Sequence, residues 1–223
     1  MTDQATQRDR HESVPLAADT EPRAAGPRTA HVRRSTHEST VEVELNLDGS
    51  GDSQISTGVR FYDHMLASLA KHSLIDLRIQ ATGDVDVDAH HTVEDVAIVV
   101  GETFREALGD KAGVRRFASG LFPLDEALVE VALDLSGRPF VVYDVPFGEV
   151  LPLGDPPFNP EMAEHFWQSF ATAAGITLHV TRKAGRNTHH VVEATFKGVA
   201  RCLRDAVRVE GGGVPSTKGT LRG

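Results

Sequence analysis

The sequence predicts an α+β fold made of two copies of one unit, with helices packed on one face of each sheet. Two observations carry this. Segments that alternate apolar and polar residues lie beside segments with apolar residues at helical spacing, and the second half of the chain repeats the first. Asp63-His64 and the following MLASLAKHSLIDLRI align with Glu164-His165 and FWQSFATAAGITLHV, pairing Ser68 with Ser169, Ala70 with Ala171, Ile75 with Ile176 and Leu77 with Leu178. HHTVEDVAIVVGETFREAL aligns with HHVVEATFKGVARCLRDAV, pairing His90 with His189, His91 with His190, Val93 with Val192, Glu94 with Glu193 and Arg105 with Arg204. Such agreement marks an internal duplication.

Taken in order, residues 1–30 carry Pro15, Pro22 and Pro27 without periodicity, so a disordered tail is expected there. From Ala30 onward the folded unit begins. Val41 to Leu47 alternate like a strand with one buried face, and LDGSGD supplies a turn. FYDHMLASLAKHSL places Phe61, Met65, Leu66 and Leu69 on one helical face, and IDLRIQATGDVDVD is expected to form two paired strands around Gly83. The HHTVED segment then sets Val93, Val96, Ala97, Val100, Phe104 and Leu108 in helical order, ending near Gly109. The unit is expected to run strand, helix, hairpin, helix. LVEVALDLSG and RPFVVYDVPF are the corresponding strands ahead of the helices of the second half. These boundaries divide the chain into halves at 31–118 and 119–210, with a C-terminal segment at 211–223.

At 223 residues and 40% hydrophobic the chain can bury a core. No apolar run approaches the roughly 18 to 20 residues that span a bilayer, and the first 30 residues lack an apolar h-region, so a cytoplasmic protein is expected. The single cysteine, Cys202, cannot form an internal disulfide, and its helical context FKGVARCLRDAV suggests a buried small residue. A net charge of −9 argues against general nucleic-acid binding while leaving room for a local phosphate pocket.

The chemistry concentrates in histidine and glutamate. Each half supplies one isolated histidine at the start of a helix and then His-His-x-x-Glu at the start of another: His64, His90, His91 and Glu94, then His165, His189, His190 and Glu193. Positions i and i+4 share a helix face, so His90 with Glu94, and His189 with Glu193, can chelate one ion. The adjacent histidines point about 100 degrees away. His91 and His190 must therefore serve a different ion, and two halves or two subunits must meet to complete each site. Imidazole with carboxylate suits ions from manganese to zinc, and the lack of cysteine ligands argues against structural zinc and iron–sulfur clusters. His72 and His179 stand alone and are left out. Arg116 and Arg138 have the bidentate geometry for phosphate, and PSTKG offers Ser216, Thr217 and Lys218 in a glycine-flanked segment.

STHEST, FYDHML, HHTVED, PLDEAL, DLSGRPF, EHFWQSF, NTHHVVEATFK and PSTKG, in this order, resemble the imidazoleglycerol-phosphate dehydratase family over residues 31–222. The resemblance implies duplicated ferredoxin-like or ribosomal-S5-domain-2-like halves, manganese(II) with two ions per active site, intersubunit sites and a homo-oligomer of 24 subunits. It assigns the metals to the same eight residues, His64, His90, His91, Glu94, His165, His189, His190 and Glu193. It further implies that Arg116, Arg138, Lys197, Ser216 and Lys218 hold the substrate phosphate and that Glu38 meets the imidazole end.

The implied reaction removes water from a diol beside an imidazole ring, where the C–H to be broken has no adjacent carbonyl to acidify it. Ring nitrogens held on two manganese ions would take over that task, with Glu193 or Glu94 as base and Glu38 as acid or ring-orienting group. Two other readings share the metal ligands. One is a different metal-dependent lyase or hydrolase acting on a phosphorylated small molecule; the other is a storage or assembly protein stapled by metal, which would need no anion pocket.

Overall fold

The computed structural model describes residues 26–148 and 151–221. Each half contributes three strands, a helix, a strand and a helix. The first comprises β1 (Thr29–Ser35), β2 (Ser39–Asn46), β3 (Ser53–Ser56), α1 (Arg60–Ser73), β4 (Asp76–Gly83) and α2 (His90–Leu108). The second comprises β5 (Phe117–Leu124), β6 (Ala127–Asp134), β7 (Phe140–Asp144), α3 (Met162–Ala174), β8 (Thr177–Ala184) and α4 (Thr188–Ala206).

The sheets have the same order, β1-β2-β4-β3 and β5-β6-β8-β7, and both are mixed. In the first, β2 runs antiparallel to β1 and β4, while β3 runs parallel to β4. The second reproduces this pattern with β6, β8 and β7. Alternation explains why these segments are strands: Val41, Val43 and Leu45 are buried on one face of β2, as Val129, Val131 and Leu133 are on β6. The helices cover those faces, α2 lying on β1 and β2 and α4 on β5 and β6. The two helical layers then pack against each other, α2 with α3 and α1 with α4.

The core is continuous through both halves. Phe166, Trp167, Phe170 and Phe196 form an aromatic cluster at its centre, with ring centroids 4.7 Å apart for Phe166–Trp167 and 5.1 Å for Phe166–Phe196. The approach of α2 to α3 requires Gly101, because a Cβ there would lie 2.6 Å from the Phe170 carbonyl oxygen and 2.8 Å from Ala173 Cβ. This close crossing brings the ends of helices from different halves together.

Two expectations need correction. IDLRIQATGDVDVD is one strand followed by a turn, since β4 ends at Gly83 and the Asp84 carbonyl accepts the Val87 N–H at 2.8 Å. The partners of β4 are β2 and β3, both earlier in the chain, so no hairpin partner follows it. Valines alternating with aspartates imitate a strand, but Val87 is 77% exposed and packs on nothing that would hold one. The stretch after LDGSGD also contains a strand, β3, which its polar sequence SQIS conceals. Of the expected tail, residues 1–25 lie outside the described residues, and Thr29 and Ala30 belong to β1. Among the described residues no helix is long and apolar enough to cross a membrane.

Candidate metal centre and phosphate pocket

Local sequence fixes the helix starts that carry the histidines. The Asn187 side chain caps α4 by accepting the His189 and His190 N–H groups at 3.0 and 3.4 Å. In the first turn of α1, the Asp63 carboxylate accepts the Thr57 N–H at 2.9 Å and the Thr57 hydroxyl at 2.6 Å. At α2 the Asp88 carboxylate accepts the His90 N–H at 3.2 Å.

Packing then combines the halves crosswise. His64 from α1 meets His189 and Glu193 from α4, and ligand atoms of these three lie within 4.8 Å of one another. Glu193 sits 3.2 Å from His189 Nε2, as the i, i+4 spacing requires, and packing of α1 on α4 brings His64 Nε2 to 3.8 Å. On the other side of the duplication axis, His90 of α2 faces His165 of α3 with ring centroids 4.6 Å apart. Glu94 is exposed one turn along from His90. Imidazole nitrogens and a carboxylate, with the one thiol buried elsewhere, form a donor set suited to an ion of the manganese-to-zinc series.

The adjacent histidines turn away from these clusters. The rings of His189 and His190 are 85° apart in plane, and those of His90 and His91 are 75° apart. His91 Nδ1 lies 3.1 Å from Asp84 Oδ2, and His190 Nδ1 lies 2.7 Å from Glu126 Oε2. Hydrogen bonding to Asp84, followed by the charge of Glu38, raises the His91 pKa. The bond to Glu126 does the same for His190. Such carboxylates select the ring tautomer that leaves Nε2 as an acceptor. Sequence reasoning assigned no role to Asp84 or Glu126; PLDEAL, the segment holding Glu126, was the available signal.

Glu193 has a further partner, Lys197, whose Nζ lies 2.8 Å away. Burial raises the Glu193 pKa, but the Lys197 hydrogen bond and charge, with His64 and His189, outweigh it and hold the carboxyl below its ordinary value. Lys197 thus stands beside the His64 cluster, apart from the other residues expected at the phosphate.

Those others gather at the far end of β5 and β7. Arg116, Ser136, Arg138, Ser216, Thr217 and Lys218 line a cavity of about 910 Å³. Arg138 and Lys218 are exposed there. Arg116 is already engaged: Nε and Nη2 donate to the Asp134 carboxylate at 2.6 and 2.9 Å, and Nη1 donates to the Pro215 carbonyl at 2.7 Å. The hydrogen bond to Asp134 raises its pKa. Arg116 therefore anchors the C-terminal segment that carries Ser216 and Lys218. Glu38 is exposed at the β1–β2 tip, with Oε2 4.0 Å from His91 Nδ1.

A model of the family described as imidazoleglycerol-phosphate dehydratase matches residues 57–203, which include all eight expected metal ligands. The imidazoleglycerol-phosphate dehydratase of Acidothermus cellulolyticus is 56% identical over 196 residues, covering 87% of this chain and 94% of the relative. The chain belongs to the imidazoleglycerol-phosphate dehydratase family. The dehydratase of Methanopyrus kandleri, 52% identical, covers 87% of this chain and 97% of its own. Among solved structures, the Staphylococcus aureus dehydratase superposes with a TM-score of 0.72 at 32% identity, covering 81% of this chain and 99% of that one. The Pyrococcus furiosus dehydratase in complex with (S)-C348 gives 0.72 at 36% identity, covering 85% and 99%. The family is one of hydro-lyases, and the α+β fold of duplicated halves is the fold of its solved members.

Proposed function

We propose that the chain is a manganese-dependent imidazoleglycerol-phosphate dehydratase that forms imidazole-acetol phosphate in histidine biosynthesis, in the cytoplasm. The observation that carries this reading is the crosswise convergence of His64, His189 and Glu193, mirrored by His90 and His165, in a member of this family. His91 and His190 face outward from these clusters, so each needs a neighbouring subunit to contribute to a site. This supports a homo-oligomer, which the family resemblance puts at 24 subunits.

The eight histidine and glutamate side chains would hold two ions per active site, and bound manganese(II) would supply Lewis acidity and a template for the substrate ring. The protein groups do the rest. Lys197 keeps Glu193 ionised, which is the form a base needs to take the proton from the carbon beside the ring. Glu94 is the equivalent carboxylate of the other half. Glu38, near His91, orients the ring or returns a proton. Arg138, Ser216 and Lys218 bind the phosphate, on a segment that Arg116 fixes. Lys197 joins them only from another chain.

The test is formation of imidazole-acetol phosphate by purified protein with manganese, with chelator, and with His90 and His189 each changed to Ala. Metal-dependent turnover lost in both variants is expected. Metal binding without turnover on this substrate would redirect the search to other phosphorylated small molecules.

A further inference from the structure

The two halves use their hairpin-tip glutamates differently. Val43 lies opposite Ile79 and Val131 opposite Val180, so Glu38 and Glu126, each five residues earlier, are equivalent positions of the duplication. Glu126 is fully committed. It accepts from the Asn187 N–H at 2.7 Å and the Arg186 N–H at 3.1 Å, and it holds His190. These bonds, that to His190 foremost, take its pKa down to about 2. Glu38 makes no such side-chain hydrogen bonds among the described residues: its Oε2 stands 4.0 Å from His91 Nδ1, which Asp84 holds at 3.1 Å in its place. The β8–α4 connection of the second half, Gly185-Arg186-Asn187, offers no carboxylate to relieve Glu126 in the same way.

A glutamate freed from its neighbours needs its loop held by something else. Asp95, buried on the second turn of α2, does this. Its carboxylate accepts from Arg34 Nη1 on β1 and Ser39 Oγ on β2, with Thr36 Oγ1 at 3.4 Å. Thr36 Oγ1 in turn accepts the Glu38 and Ser39 N–H groups at 3.2 and 3.0 Å, and the Thr36 N–H bonds the Ser39 carbonyl at 2.8 Å. The loop is thus closed on itself and tied at both ends to one buried carboxylate. At the equivalent place on α4 stands Ala194, where Glu126 secures its own turn and no tether is needed.

We propose that Asp95 is a positioning residue that places Glu38 for the reaction, in the half whose tip glutamate has been released from the structural task that Glu126 keeps. This rests on the reading above, in which Glu38 touches the substrate. A carboxylate displaced by about 1 Å from its reacting geometry loses one to two powers of ten in rate, so loss of the tether is read in kcat.

The experiment is a double-mutant cycle on the manganese-loaded, assembled protein, with kcat, KM, bound metal and melting temperature read for Asp95→Asn, Ser39→Ala, Glu38→Gln and each pair with Glu38→Gln. Asp95→Asn should lower kcat roughly tenfold or more, Ser39→Ala should lower it by less, and both losses should vanish in the Glu38→Gln background while metal content holds. If Asp95→Asn costs the same factor with and without Glu38, the tether is refuted and the role of Glu38 stands. Should Glu38→Gln turn over like the parent, the role of Glu38 falls and the proposal with it. Ser39→Ala removes a single donor and carries the same cycle if Asp95→Asn does not fold.

Discussion

Arg116 shows how a side chain's partners decide its role. A guanidinium is suited to phosphate, yet here its fork is closed on Asp134 and its remaining edge holds the Pro215 carbonyl. Arg116→Lys keeps the charge but loses the fork, so the C-terminal segment should loosen. Steady-state kinetics should show KM for the phosphorylated substrate rising several-fold with a smaller change in kcat; an unchanged KM would remove the anchoring role. Cys202 is a second residue defined by surroundings. Burial pushes its thiol up to about 12, with the charge of Asp205 adding to the effect. The native protein should therefore resist a thiol reagent at pH 8 and react only when unfolded. Stoichiometric labelling of the folded protein would contradict this. The histidines and glutamates of the two clusters were legible because duplication set them in register. Asp84, Asp95 and Glu126 were not, since a carboxylate that serves another side chain has no spacing rule of its own.

Elements inherit their positions from how closely they pack. Gly101 lets α2 touch the α3 backbone, and the same pair of helices carries His90 and His165 with ring centroids 4.6 Å apart. Gly101→Ala improves helix propensity yet forces the helices apart, which costs about 1 to 3 kcal/mol as overpacking does. The variant is expected to melt at lower temperature and, on the proposed reading of the His90–His165 cluster, to bind manganese less tightly. An unchanged or raised melting temperature would mean that the crossing yields without strain. α1 and α2 could be read from apolar spacing and α3 and α4 from the repeat of those segments, while β2, β6 and β7 were legible as strands. The missing hairpin after β4 and the hidden strand β3 share a cause: strand identity depends on which neighbour supplies hydrogen bonds. Asp84–Asp88 has the right alternation with no neighbour, whereas Ser53–Ser56 has an undistinguished sequence beside β4.

At the scale of the whole molecule, acid stability should follow the carboxylates that tie loops to the sheets. Asp76 accepts N–H groups from Ser50, Gly51 and Asp52 at 2.7, 3.0 and 3.0 Å, and these bonds, Ser50's first, hold its pKa below 3.8. Asp48 is likewise lowered, first by its hydrogen bond from Arg28. A depressed native pKa contributes stability that is complete above the unfolded value and is lost as pH falls through the native one. Unfolding followed by circular dichroism should thus show stability declining below about pH 4, with Asp76→Asn less stable at neutral pH and less sensitive to acid. Equal acid sensitivity in the variant would exclude Asp76 as a source.

By itself the sequence determined the duplication, the α+β class, the helices and the eight histidine and glutamate positions, because periodicity and repetition are properties of order along a chain. Tertiary structure decided which of these groups meet. His64 pairs with the histidine and glutamate of the opposite half, and His90 with His165, because α1 packs on α4 and α2 on α3. It also decided that Glu126 is spent on a 2.7 Å hydrogen bond to His190 while Glu38 stands 4.0 Å from His91. Contacts between residues distant in sequence arise from burying apolar helix faces against each other, and no local pattern records which face will find which.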